Sequence, residues 1–105
     1  MILPDIEVIF TFNGTRKNPA HEGYRPNHII MENYLTTGVH HYYDADEVAS
    51  NGTIKGTITF ITPEMYPHCL WIGKKIPIQE GTKVVGEATV IKIFNQLLCG
   101  RTQVI

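Results

Sequence analysis

The chain has 105 residues, of which 43% are apolar and 18% charged, and a formal net charge of −1. That length gives one domain able to bury roughly 60–70% of the surface its unfolded form exposes, and the composition is neither disordered nor fibrous. A balance this close to neutral excludes a global attraction to nucleic acid or to an anionic membrane, so any polyanion contact must come from a local patch.

The first residues, "MILPDIEV", lack a basic stretch and a long apolar run, and no segment reaches the ~20 apolar residues of a membrane helix. The expectation is a soluble, cytoplasmic protein without a membrane association. Ile6–Phe12 alternates with period two, placing Val8, Phe10 and Phe12 on one face and Glu7 and Thr11 on the other, as in a half-buried antiparallel strand. "FNGT" then supplies an Asn-Gly turn. Asn27–Leu35 is read as the second strand, with Ile29, Met31 and Leu35 facing inward, opposite His28, Glu32 and Tyr34. A third strand is expected over Val39–Tyr43.

Thr53–Thr62 follows the second Asn-Gly turn, "SNGT", and sets Ile54, Ile58 and Phe60 against Lys55, Thr57 and Thr59. Lys74–Glu80 and Lys83–Phe94 flank "QEGT", read as a tight hairpin, and Gly86 predicts a bulge or a close backbone approach. Six short strands and no 3.6-residue stripe point to an all-β barrel or sandwich. Residues 95–105, "NQLLCGRTQVI", look like an addition to a body spanning residues 1–94.

The chemistry-bearing residues are sparse. There is no glycine loop of the P-loop or dinucleotide type, so no bound nucleotide and no GTPase or kinase machinery is expected. Ser50 has no G-x-S-x-G around it. His40, His41, Asp44, Asp46 and Glu47 are ligand types gathered in one segment, but adjacent residues of a strand point to opposite faces, so a solvated acidic loop is favoured over a metal site. The same carboxylates lack an apolar surrounding to raise a pKa, so no catalytic residue is nominated and no cofactor is expected. Cys69 and Cys99 fit neither a zinc pattern nor a disulfide framework. Arg16, Lys17 and Arg25, interleaved with Asn18, Asn27 and His28, suit phosphate and ribose oxygens. Arg25 is read as structural, capping loop carbonyls while Tyr24 packs on the barrel.

"TRKNPAHEGYRPNH" resembles the first hairpin loop of the third domain of elongation factor Tu, with Arg16, Pro19 and Gly23 to Pro26 in matching order and spacing. "TITFITP" and "IPIQEGTKVVGEATVIKI" are similar to that domain's closing strands, matching at Ile78, Glu80, Gly81, Val85, Gly86, Val90, Lys92 and Ile93. The resemblance frames roughly residues 5–94 and implies a closed, six-stranded antiparallel β-barrel of the elongation-factor C-terminal type. In that family the barrel holds the T-stem of aminoacyl-tRNA through its backbone. Carried over, the RNA-facing residues are Arg16, Lys17, Asn27, Thr36 and Gly81. No counterpart of the family's GTPase and middle domains is expected within these 105 residues, Thr82 replaces a second turn glycine, and an extra segment lies within "EMYPHCLWIG". Met65, Tyr66 and Trp71 in that segment form a protein-binding patch if exposed. The expected partners are tRNA or another structured RNA, or a translation-associated protein or toxin, bound by a non-catalytic module.

Overall fold

A computed structural model describes residues 3–32 and 34–100. Its strands are β1 (Ile6–Phe12), β2 (Ala20–His21), β3 (Asn27–Met31), β4 (Tyr34–Tyr42), β5 (Glu47–Val48), β6 (Thr53–Phe60), β7 (Lys75–Glu80) and β8 (Lys83–Ile93). Six of them close an antiparallel barrel in the order β1-β6-β4-β3-β7-β8, and β2 and β5 form a separate two-stranded ribbon. The fold is therefore all-β, and no helix among the described residues is long and apolar enough to cross a membrane.

Alternation fixes which side chains fill the barrel. Val8, Phe10 and Phe12 of β1, Ile58 and Phe60 of β6, Ile76 and Ile78 of β7, and Val85, Ala88 and Val90 of β8 are buried. Closure needs strands that bend, and β8 carries two register shifts. Val85 is the extra residue between the pairs Ile78↔Gly86 and Gln79↔Val84, and Ile91 is extra between Glu7↔Lys92 and Val8↔Val90. The expected close approach is beside the first bulge: a Cβ on Gly86 would lie 2.5 Å from the Thr11 carbonyl oxygen.

The second and third predicted strands need correction. The chain reverses between Met31 and Tyr34, paired with each other, and β4 runs on to Tyr42. His28 and Ile30 point into the barrel, whereas Ile29 is half-buried and Met31 and Leu35 are exposed. On β4 the inward positions are Thr36, Gly38, His40 and Tyr42. Thr57, expected outward, is also buried.

Residues 95–100 are tied to the barrel rather than appended to it. Asn95 caps a 3-10 turn, Gln96–Leu98, with its side chain accepting from the Leu97 N–H, and Leu98 is fully buried. Leu70 and Cys99 pair in parallel. The remainder of the predicted extension, 101–105, lies outside the described residues.

Candidate nucleic-acid interface and the two ends of the barrel

Because neighbouring strands are antiparallel, the connections sort to two ends. One end carries the loop after β1, the β4–β6 connection and the β7–β8 turn. Here Thr15, Arg16, Lys17, Asn18, Glu80, Lys83 and Val85 line a cleft of about 290 Å³. The β7–β8 turn is a two-residue hairpin with Gly81 at φ +57 in its first central position, a backbone state glycine enters without strain. The Gln79 amide donates to the Gly81 carbonyl at 2.8 Å, and Gln79 is the register partner of Asn27. Arg16, Lys17, Asn27 and Gly81, far apart in sequence, therefore lie at the same end of the barrel.

Arg16 is already engaged. Its guanidinium donates to Glu80 Oε2 and, at 3.2 Å each, to the carbonyls of Asn18 and Pro19, and it stacks 4.5 Å over the Tyr24 ring. Tyr24 donates its hydroxyl to the same Glu80 oxygen. Burial pushes the Tyr24 phenol up against the lowering pull of Arg16, so it stays a donor. The loop-capping part expected of Arg25 is thus taken by Arg16, and Arg25 is exposed. Tyr24 does pack against the core. The exposed cations of this rim are Lys17, Lys83 and Arg25. Glu80→Gln is expected to cost about 1–2 kcal/mol, because two donors lose a charged acceptor at a partly exposed site; chemical denaturation reads it directly.

Thr36 does not reach this surface. It is buried, and its hydroxyl pairs with the Tyr66 hydroxyl at 2.9 Å. Thr37, the outward neighbour, donates to Asn27 Oδ1 at 3.0 Å. Alternation along β4 places Thr36 inside the barrel and Thr37 outside, so the residue carried over from the resemblance points away from the rim.

The other end is apolar. Leu3, Ile61, Met65, Phe94 and Leu97 are exposed there, and Leu3, Val39, Ile61 and Pro63 border a cleft of about 380 Å³. Of the residues expected to form a protein-binding patch, only Met65 is fully exposed. Tyr66 is buried, its phenol pushed up to about 12 chiefly by burial. Trp71 is half-buried with the Lys74 ammonium 4.6 Å over its ring. Lys74 also donates to the carbonyls of Ile30 and Cys69, at 2.7 Å each, and pins this connection to the barrel.

Sequence reasoning missed a polar chain inside the barrel. His28 and His40 are both fully buried, with Nε2 atoms 2.8 Å apart. His28 Nδ1 lies 3.2 Å from the Thr36 carbonyl oxygen, and His40 Nδ1 lies 2.9 Å from the Tyr42 hydroxyl. A carbonyl only accepts, so His28 carries its hydrogen on Nδ1 and accepts at Nε2 from His40 Nε2–H; His40 Nδ1 then accepts from the Tyr42 O–H. Burial lowers His28 to about 4, against a smaller raising effect of the Thr36 carbonyl. Burial, then the neighbouring His28, holds His40 well below its usual value. His41, one residue on, faces outward to Glu22. The opposite facing of His40 and His41 follows from strand geometry, and among the described residues no three metal-ligating side chains are grouped.

No protein-family model matches the chain.

Proposed function

We propose that this protein is a non-catalytic binding module, related to the third-domain barrel of elongation factor Tu, that grips structured RNA such as tRNA through phosphates at its polar rim. The observation that carries this reading is that Arg16 and Lys17 line one cleft with Glu80 and Lys83, the two residues that flank the Gly81 turn, while Asn27 pairs with Gln79 of the same hairpin. The resemblance selects these residues, and their proximity supports it. Arg16, locked by Glu80 and two carbonyls, shapes the loop; Lys17 and Lys83, whose ammonium groups are exposed, meet phosphate. The Gly81 turn lets backbone approach the ligand closely. The reading carries with it a cytoplasmic setting within translation.

Two or three cations give modest affinity with strong salt dependence. Lys17→Ala and Lys83→Ala are each expected to weaken binding to a structured RNA hairpin across all sequences and to lower the log–log salt slope by roughly 1. Fluorescence anisotropy over a salt series measures this. A slope unchanged by both substitutions would remove RNA from the rim.

The exposed apolar end favours a second reading, in which the module binds a translation-associated protein or a toxin. Met65→Asp then abolishes a partnership that survives ribonuclease treatment and is insensitive to Lys17→Ala.

A further inference from the structure

We propose that β3 is an acid-labile strand of the barrel: its seam with β7 is short, and the buried His28–His40 pair ties its other side to β4. The seam is the shortest in the barrel. β3 and β7 are joined by two register pairs, Asn27↔Gln79 and His28↔Ile78, fewer than join any other neighbouring strands of the barrel. One of those two pairs includes the histidine itself. Beyond it the Lys74 ammonium sits on the Ile30 carbonyl.

The hydrogen-bond chain holds β3 to β4 and is complete as it stands while both imidazoles are neutral. One added proton is accommodated on His40 Nδ1 if the Tyr42 hydroxyl turns to accept. A second has no place: it sets N–H against N–H across the 2.8 Å Nε2···Nε2 contact. The described groups that pack on the pair are apolar or phenolic. Phe10 and Phe12 of β1 and Phe60 of β6 pack on the pair as apolar rings, and Ile78 of β7 is apolar. Tyr24, Tyr42 and, through Thr36, Tyr66 present phenols. Glu22 binds the Tyr42 N–H and His41, and Glu80 binds Arg16 and Tyr24. Lys74, of the same sign as a protonated histidine, precedes β7 and donates to the Ile30 carbonyl of β3. Among the described residues no carboxylate hydrogen-bonds either imidazole.

Opening exposes His28 to water, where it protonates near 6.5, whereas closed it resists protonation down to about 4. The closed form is therefore fully favoured above about pH 6.5 and loses ground as the pH falls through that window. Each proton taken up only by the open form raises its population about tenfold per pH unit. The pair titrates as a unit, so the two steps belong to both rings.

Amide hydrogen exchange on the wild-type chain, corrected for the intrinsic pH dependence of exchange, tests this. Between about pH 7 and about pH 5, protection of Asn27–Met31 should fall roughly 30-fold while the β1–β8 ladder keeps its protection. Unchanged protection in β3, or an equal loss in β1, would overturn the seam. Nitrogen NMR of the imidazoles on the same sample gives an independent check that needs no variant. At neutral pH it should show His28 protonated on Nδ1 and His40 on Nε2; the opposite tautomers, or a charged ring, would overturn the lock. His28→Gln should abolish the acid-dependent part of the exchange, and persistence of that part would also count against it.

Discussion

Gly56→Ala is expected to cost at least about 4 kcal/mol, a large share of a total stability on the order of 5–15 kcal/mol. A Cβ at this position would lie 2.0 Å from the His41 carbonyl oxygen and 2.9 Å from Phe10 Cε2. Neither neighbour has room to move. Gly56 faces Tyr42 on β4 and Val8 on β1, so the backbone that must yield is the middle of a three-strand sheet. Phe10 is fully buried against Phe12, His40 and Tyr42, so its ring cannot swing away without displacing the histidine pair. Moving β6 outward would break the ladders on both of its sides. Thermal or chaotrope melts measure the loss. Lys55→Ala, at the exposed neighbouring position, should stay within about 0.5 kcal/mol of wild type and serves as the control. A Gly56→Ala protein that melts like wild type would mean that β4 and β6 do not approach as described.

Where sequence patterning and turn chemistry agree, the strands were legible. β1 falls on its predicted bounds, and β6, β7 and β8 within two residues of theirs. Each begins or ends at an Asn-Gly or Glu-Gly turn, and each buries aliphatic or aromatic residues in a largely alternating pattern. The β3–β4 hairpin was not legible for two physical reasons. Its reversal after Met31 carries neither glycine nor proline, so nothing punctuated the run from Asn27 to Leu35. In addition, hydrophobicity alone assigns His28 to water and Ile29 to the core, and a single error of parity turns every side chain of a strand over. What makes His28 a core residue is a partner twelve positions away, His40, together with the Thr36 carbonyl. Such a partnership exists only in three dimensions. Thr36 was carried to the RNA rim by the resemblance alone, whereas alternation along β4 turns it inward and Thr37 outward. At the rim itself the sequence supplied the loop and the turn but not their contact, because the Arg16–Glu80 pair spans 64 positions. For the same reason the cation expected to face phosphate proves to be held by a carboxylate, and Lys83, which carries no motif, joins the candidate site.

Asp5→Ala is the second large effect, expected at about 3–5 kcal/mol, and it shows what residues 95–100 do. Asp5 is buried at the apolar end, where one carboxylate oxygen accepts from the Phe60 N–H at 2.7 Å and the other from the Asn95 side-chain amide at 2.9 Å. Hydrogen bonds to a charged acceptor are worth about 1.5–3 kcal/mol each, and truncation leaves the Phe60 donor buried without a partner. The Asp5 backbone reinforces the same junction: its N–H donates to the Ile58 carbonyl, and its carbonyl accepts from Phe94 and Asn95. One residue thus ties the entrance of β1 to the exit of β6 and to the turn after β8. Asp5→Asn separates charge from geometry. An amide offers one acceptor and one donor, so it keeps one of the two side-chain bonds and sets its NH2 against the other donor. Rotating the Asn95 amide to relieve that clash would remove the Oδ1 acceptor that caps Leu97. The asparagine variant should therefore lose about half as much as the alanine variant, with early loss of amide protection at Leu97 and Leu98. Equal stability of all three proteins would show that residues 95–100 hold to the barrel through Leu98 alone.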